Sequence, residues 1–363
     1  MPSEARQSSK DIPDDEGPYL LVIVDAEEEF DWATFSSTAT AVRSMKAQEK
    51  AQRLFAEYHV KPTYVVDFPV ASQAEGYRPL QEFLADGACH IGAQLHPWVN
   101  PPIEEQIGEH NSFPCNLPPA LELEKLRRLT GEIEANLRVK PIVYRAGRYG
   151  AGPNTAEILT SLGYQIDCSV LPWTDLRPGH GPDFRRSGNK PYWFGRELNI
   201  LEIPVTVAFL GLLAPVGATI YPHIAAPIGR SLKLQAIAAR LRLLDRIRLT
   251  PEGISLSEAK RLTWSLLQRE RHRIFVLSYH SPSLEPGNTP YVRSHADLTS
   301  FLSWIKEYLA FFFHEVGGKP ATPQSIRERL LQLHQPPPPG GGLSPRDLVN
   351  GSLPNPRVHS IER

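Results

Sequence analysis

The segment LLVIVDAEEEFDW, residues 20–32, carries the strongest indication of the fold. It opens with an unbroken apolar run that ends in an acid, which is typical of a strand buried on both faces of a parallel sheet. Asp25 and Glu27 stand two residues apart, so their side chains point the same way if the strand end is extended. Two neighbouring carboxylates can act as a base and as a metal ligand. The stretch therefore predicts a buried strand with reactive groups at its end.

Helix-like stretches separate five further apolar runs along the chain. These runs are PTYVVD (62–67), IVYR (142–145), QIDCSV (165–170), LEIPV (201–205) and IFVLSYH (274–280). Alternation of this kind predicts a parallel α/β sheet or barrel, which we expect to cover residues 18–333. Most of the runs end in a residue able to do chemistry, and the loops that leave such strands converge at one edge. The sequence therefore predicts a shared pocket at that edge.

Periodicity and capping signals predict several of the intervening helices. An apolar face before the IVYR run is formed by Leu126, Leu129, Ile133 and Leu137. Ser255 and Glu258 have capping-box spacing, and Asp297 is a candidate cap for a long amphipathic helix near the end of the chain.

Three segments do not follow this alternation of strands and helices. Residues 206–250 predict an inserted helical segment, either a lid or subunit contact packed on the barrel or a contact with a membrane surface. Residues 1–17 are polar and residues 334–363 are rich in Pro and Gly, so both are predicted to be disordered tails.

The composition narrows the classes of partner and compartment. With 39 Lys and Arg against 40 Asp and Glu, the chain is not expected to bind nucleic acid. The three cysteines, Cys89, Cys115 and Cys168, suit a reducing compartment better than a disulfide framework. We find no secretory signal and no apolar run of about 20 residues, so we predict a cytoplasmic protein without a transmembrane segment. The oligomeric state is left open.

The second polar cluster is HIGAQLHPW, residues 90–98. Alternate side chains of an extended segment share one face, so His96 and the amide of Gln94 could bind one cation beside Glu27. His90 lies on the same face and is a further candidate ligand.

Two more clusters supply an arginine and a histidine. Arg145, in YRAGRYG (144–150), could hold Asp25 ionised and fix its orientation, and Arg148 is the alternative for that role. His280 ends the run IFVLSYH and could donate a proton to a leaving amine, with Asp167 as the residue that orients it. Aromatic residues that could stack on a sugar are Trp32, Trp98 and Tyr149.

Five of these motifs resemble, in the same order, those of the polysaccharide deacetylase family, carbohydrate esterase family 4, and most closely its WalW-type branch. They are VDAEEEFDW, IGAQLHPW, YRAGRYG, IDCSV and LSYH, within residues 18–330. The resemblance implies the NodB-like fold, a distorted (β/α)7 barrel. It also implies the residue roles: Asp25 as base, Glu27 as metal ligand, Arg145 as the residue that orients the base, Asp167 as the partner of the catalytic histidine and His280 as the acid.

The resemblance further implies the reaction. In this family a metal-bound water attacks an N-acyl group, usually N-acetyl, on a saccharide or sugar-containing small molecule. The metal is a divalent cation, expected to be Zn²⁺. The family's second motif has two histidines four residues apart, whereas Gln94 and Trp98 occupy those places here and His96 lies between them. The predicted metal ligands are therefore Glu27, His96 and Gln94.

Two alternatives are kept. One is a metal-independent C–N hydrolase that acts on a non-sugar amide through Asp25 and His280. The other is a catalytically silent saccharide-binding protein.

Overall fold

The computed structural model describes residues 6–334, apart from residues 10, 30–33, 227, 228 and 230. The strands found there are β1 (Arg6–Ser8), β2 (Tyr19–Ala26), β3 (Thr63–Val66), β4 (His90–Leu95), β5 (Val143–Ala146), β6 (Ile166–Asp167), β7 (Tyr192–Phe194), β8 (Ile200–Glu202), β9 (Val207–Leu210), β10 (Asp245–Arg248), β11 (Ile274–His280) and β12 (Lys319–Pro320). The α-helices are α1 (Gln48–Ala56), α2 (Phe68–Ser72), α3 (Ala74–Ala85), α4 (Pro119–Leu137), α5 (Thr155–Leu162), α6 (Gly217–Ile224), α7 (Leu234–Arg240), α8 (Leu256–Ser265), α9 (His295–Ala310) and α10 (Pro323–His334).

Seven neighbouring strands of the main sheet are parallel, in the order β8-β6-β5-β4-β3-β2-β11. Strands β7 and β1 extend the β8 edge in antiparallel fashion, and β12 pairs with the start of β2. Parallel strands need crossover connections, and helices on the outer face supply most of them here. The predicted α/β fold is confirmed, with a curled sheet in place of a regular closed barrel.

The gap between β8 and β11 explains the distortion of the barrel. Among the described residues no β-ladder joins these two strands. Instead, the backbone nitrogen of Val276 donates to Thr206 Oγ1 at 2.8 Å, and that of Ser278 donates to the Leu249 carbonyl at 3.4 Å. The two ends of the 206–250 segment therefore fill the place of a missing strand pairing.

The strand β2 packs on both faces. Leu20, Val22 and Val24 belong to the cluster between sheet and helices, while Leu21 and Ile23 belong to the cluster inside the barrel. Each fully buried aliphatic side chain of this kind stabilises the fold by about 1.5–3 kcal/mol. This double burial is the reason that the run LLVIV is apolar throughout.

The prediction of a disordered tail over residues 1–17 is wrong for part of that range. Strand β1 pairs with β7, and Ile12 is buried in the interior cluster. The physical reason is that β7 would otherwise present an unpaired edge, which β1 covers. Residues 1–5 and 335–363 lie outside the described residues, so most of the second predicted tail falls there, while residue 334 still belongs to α10.

The inserted segment 206–250 is also different from the prediction, because it is not only helical. Strands β9 and β10 pair as a separate antiparallel ribbon, with α6 and α7 between them. Leu212 and Leu241 on this segment are 79% and 60% exposed, and the lid, subunit-contact and membrane-surface hypotheses all stay predictions. Within the described ranges, none of the helices is long and apolar enough to cross a membrane.

Candidate active site

The side chains that point into the barrel continue to the carboxyl ends of the parallel strands, where they line one cavity. On β2, Asp25 follows Leu21 and Ile23 in the series of alternate residues, and on β5 Arg145 follows Val143 in the same way. The cavity has a volume of about 340 Å³. Seven of the predicted site residues line it: Asp25, Glu27, Gln94, His96, Trp98, Tyr149 and His280.

Asp25 is held by Arg145. Arg145 Nη1 donates to Asp25 Oδ1 at 2.5 Å, and Arg145 Nε donates to the Cys168 carbonyl at 3.1 Å. Burial opposes the charge of Arg145, but the neighbouring Asp25 carboxylate outweighs it and raises the pKa of the guanidinium. The alternative candidate, Arg148, donates instead to Ser112 Oγ. Asp25 is therefore a buried carboxylate with a fixed orientation.

His280 faces Asp25, but its other neighbour is a residue that the sequence motifs do not single out. His280 Nε2 lies 3.6 Å from Asp25 Oδ2, while His280 Nδ1 is hydrogen-bonded to Glu252 Oε2 at 2.7 Å. Glu252 Oε1 also accepts from the His280 backbone nitrogen at 3.0 Å and from Ser283 Oγ at 2.6 Å. Burial opposes ionisation of Glu252, yet the interaction with His280 outweighs it, so the pKa of Glu252 lies below its usual value.

The predicted role of Asp167 as partner of His280 is therefore wrong. Ile166 and Cys168 belong to the interior cluster, so Asp167 between them points to the opposite face of the sheet. There it accepts from Ser169 Oγ and lies in register with Glu202 on the next strand. Burial raises the pKa of Asp167 to about 6 and that of Glu202 well above its usual value, as expected for two carboxyl groups that share a proton.

Glu27, Gln94 and His96 lie together beside this pair. His96 Nε2 is 3.6 Å from Glu27 Oε2. Burial, followed by repulsion from Glu28 and Asp25, raises the pKa of Glu27 well above its usual value. Burial lowers the pKa of His96 to about 4, so its ring is neutral at neutral pH and able to bind a metal.

A buried group behind His96 fixes the orientation of its ring. His96 Nδ1 is hydrogen-bonded to Glu28 Oε2 at 2.9 Å, and Trp98 Nε1 donates to Glu28 Oε1 at 2.7 Å. Asp67 Oδ2 accepts from the Glu28 backbone nitrogen at 2.7 Å, and Asp67 Oδ1 accepts from Val70 N as the cap of α2. With Nδ1 donating to Glu28, the lone pair of the ring is on Nε2, toward Glu27.

Two sets of residues could hold a metal ion, and their hydrogen bonds distinguish them. One ligand atom from each of Glu28, Asp67 and His96 lies within 4.8 Å of the others. The carboxylates of Glu28 and Asp67 are, however, already occupied by the hydrogen bonds to His96, Trp98 and backbone nitrogens. This set is better suited to orient His96 than to bind a cation.

The second set, Glu27, Gln94 and His96, fits a divalent cation. Glu27 Oε1 and Gln94 Oε1 are buried, and within the described part of the chain neither has a hydrogen-bond partner. Buried oxygens without a partner are costly, and a cation would satisfy both of them. A carboxylate, an amide oxygen and an imidazole are all ligands that divalent cations accept.

The remaining predicted residues differ in whether they reach the cavity. His90 is the first residue of β4, roughly 20 Å along the strand from His96, so it cannot complete the metal site. Trp98 lines the cavity but is 1% exposed and stacks on His96 at 4.4 Å. Tyr149 lines the cavity and accepts a hydrogen bond from Arg248 Nη1 at 2.7 Å. Trp32 lies outside the described residues, and stacking of these aromatics on a sugar stays a prediction.

Three residues of the site are not indicated by the motifs: Glu28, Glu252 and Arg248. Glu28 belongs to the acidic run after β2, in which the resemblance assigns roles to Asp25 and Glu27 and none to position 28. Glu252 lies between the end of β10 and the helix cap Ser255, so it too is an acid that follows a strand. The same rule that selects Asp25 would have found it, had β10 been recognised as a strand.

Comparison with known proteins supports the fold. No family model and no curated protein matches the sequence. A Mycobacterium smegmatis structure named as a polysaccharide deacetylase is similar, with a TM-score of 0.55 and 13% identity over 98% of this chain and 100% of that chain. A Parabacteroides distasonis structure named as a glycoside hydrolase/deacetylase is similar, with a TM-score of 0.56 and 10% identity over 88% of this chain and 72% of that chain. At these identities the likeness confirms the predicted fold.

Proposed function

We propose that this chain is a metal-dependent hydrolase that removes an N-acyl group, with N-acetyl as the simplest case, from a saccharide or sugar-containing small molecule. The observation that carries this proposal is the pair Asp25 and His280. Both line one cavity, and His280 Nε2 lies 3.6 Å from Asp25 Oδ2. Each of the two is fixed by a buried partner, Arg145 or Glu252. The motif resemblance, including that to the WalW-type branch, points to the same reaction.

The residues of the chain divide the work of amide hydrolysis between a base and an acid. Asp25, oriented by its hydrogen bond from Arg145, accepts a proton from the attacking water. His280 then gives a proton from Nε2 to the leaving nitrogen, while Glu252 holds the opposite side of the ring. The products are a carboxylate and an amine, and water is the only co-reactant.

The cation belongs beside this pair. Glu27, His96 and Gln94 would hold it, and Glu28 would keep His96 in the required orientation. When bound, a divalent cation such as Zn²⁺ polarises the acyl carbonyl toward attack.

The first experiment measures acetate release from a panel of N-acetylated sugars. We expect activity in the wild type and a loss of roughly 10²-fold or more in Asp25→Asn and in His280→Ala. The matched control is Asp86→Asn, an exposed acid at the end of α3, which should keep wild-type activity. Activity that survives both substitutions in the cavity would contradict the proposal.

The second experiment tests the metal. We expect one divalent cation per chain, loss of activity with a chelator, and loss of the bound cation in His96→Ala. Full activity in the presence of the chelator would favour the metal-independent C–N hydrolase. Saccharide binding without any turnover would favour the silent binding protein.

A further inference from the structure

Two arginines line the cavity that the proposed chemistry does not use. Arg148 follows β5, and Arg248 is the last residue of β10. Tyr149 lies between them, because it is the chain neighbour of Arg148 and its hydroxyl accepts from Arg248 Nη1 at 2.7 Å.

Arg248 has few partners for a guanidinium in such a place. Its side chain is 20% exposed, and its Nη2 lies 3.7 Å from Glu252 Oε2. That carboxylate is already engaged more closely by His280 Nδ1, at 2.7 Å. A guanidinium has five N–H donors, and within the described part of the chain the Tyr149 hydroxyl receives one of them.

Arg148 is held mainly by aromatic rings. Its guanidinium carbon lies 4.3 Å from the ring centre of Phe113 and 5.0 Å from that of Phe35. Its Nη1 donates to Ser112 Oγ, and the carboxylate of Glu109 is 3.8 Å from Nη2. Stacking holds the planar group in position and leaves its in-plane donors for another partner.

The acids of the cavity wall are engaged more closely by other groups than by these two arginines. Asp25 is paired with Arg145, and Glu252 with His280. Among the described residues, the ion pairs of Arg248 and Arg148 with carboxylates are 3.7 Å and 3.8 Å long, which is beyond hydrogen-bond distance. Part of each guanidinium therefore stays available to a ligand in the cavity.

We propose that the substrate carries an anionic group, a carboxylate or a phosphate, which Arg248 and Arg148 bind in this cavity. The inference rests on the proposed function for the acyl group, but the anion subsite is independent of turnover. Guanidinium groups suit this task because they present paired donors to the oxygens of a carboxylate or phosphate. The subsite would select a charged amino-sugar derivative over the neutral sugar.

The test compares ligands that differ in charge by titration calorimetry at fixed ionic strength, in the Asp25→Asn background so that no turnover occurs. The ligands are N-acetylglucosamine, its 6-phosphate and N-acetylmuramic acid, with inorganic phosphate as the minimal probe. We expect at least one anionic sugar to bind about tenfold or more tightly than the neutral sugar, and its structure identifies the source of the charge.

Substitution of the arginines decides the assignment. Arg248→Gln should remove most of the preference for the anion, and Arg148→Gln should reduce it, while affinity for the neutral sugar changes little. The control is Arg128→Gln, an exposed arginine of α4 that pairs with Glu124. Equal affinity for charged and neutral ligands, a preference that survives both substitutions in the cavity, or no binding of any anionic probe would overturn the inference. An anion preference in these titrations together with no acetate release by the wild-type enzyme from the same sugars would instead contradict the proposed function and leave the subsite standing.

Discussion

At the scale of single residues, each member of the proposed acid–base pair is held by one buried partner. Arg145 fixes Asp25, and Glu252 fixes His280. Removing one member of a buried ion pair destabilises a protein by far more than the net contribution of the intact pair to stability, because the other charge is left without compensation. We therefore expect the partners to be as sensitive to substitution as Asp25 and His280.

We predict that Glu252→Gln lowers kcat by roughly 10²-fold. Glutamine can still accept from the backbone, but it lacks the charge that stabilises protonated His280. The alkaline limb of the pH–rate profile should therefore move to lower pH, which a purely structural role of Glu252 would not cause. Measurement of kcat from pH 5 to pH 9 checks both effects.

The comparison variant is Asp167→Asn, which alters a buried carboxyl group on the other face of the sheet. It should leave the shape of the pH–rate profile unchanged. If the profile responded to Asp167→Asn and not to Glu252→Gln, the assignment of Glu252 would be wrong.

At the scale of elements, the turn after β5 is packed directly against the end of β4. A Cβ atom at Gly147 would overlap the Leu95 carbonyl oxygen and would lie 2.7 Å from His96 Cδ2. The backbone at Arg148 and Tyr149, which follow, has positive φ angles of 53° and 61°. This turn therefore brings its backbone close to His96 only because residue 147 has no side chain.

We predict that Gly147→Ala displaces His96 and weakens divalent-metal binding by roughly tenfold or more, with a parallel loss of activity. The matched control is Gly131→Ala on the exposed side of α4, where an added Cβ meets no atom within 4 Å. That control should raise the free energy of unfolding by about 1 kcal/mol, because alanine is the better helix former. Wild-type metal affinity in Gly147→Ala would refute the packing argument.

Helix signals in the sequence are reliable where they depend on neighbouring residues. The apolar face of α4 is buried as predicted, and the capping box of Ser255 and Glu258 is confirmed. For α9 the cap is Ser294 and not Asp297, which instead occupies the third position of the helix and completes a capping box. A Ser-x-x-Asp pattern fits both readings, and the local backbone decides between them.

At the scale of the whole molecule, His272 makes stability depend on pH at a distance from the cavity. It is the residue two before β11, it packs against Phe275 at 5.0 Å, and burial lowers its pKa to about 4. The unfolded chain takes up this proton at a pH near 6.5, whereas the folded chain does not. Stability is therefore lost as the pH falls from about 6.5 toward about 4.

We predict that His272→Leu makes the protein less sensitive to acid. When the pH falls from 7 to 5, the buried histidine lowers the free energy of unfolding of the wild type by about 2 kcal/mol. The decrease over the same pH range should be smaller in the variant by about that amount. Chemical denaturation at the two pH values measures the difference. The exposed His295→Gln is the control, and an unchanged pH dependence in His272→Leu would contradict the prediction.

Local sequence patterns were sufficient to predict the parallel α/β architecture and seven residues of the cavity. The apolar periodicities of strands, two residues, and of helices, 3.6 residues, are local features of the sequence. The end of a buried strand is likewise visible, as a polar residue after an apolar run. Asp25 and His280 were found in this way, and the register of β2 with β11 places them opposite each other.

The partner of each of these groups is fixed instead by tertiary contacts. Asp167 and Glu252 are both acids near strand ends, but the alternation of β6 turns Asp167 outward while the chain after β10 brings Glu252 to His280. Likewise, β1 is ordered only because β7 offers an edge to pair with, and Arg248 reaches the cavity only because β9 and β10 fill the gap in the barrel. These contacts join residues far apart in the chain, and local patterns carry no information about them.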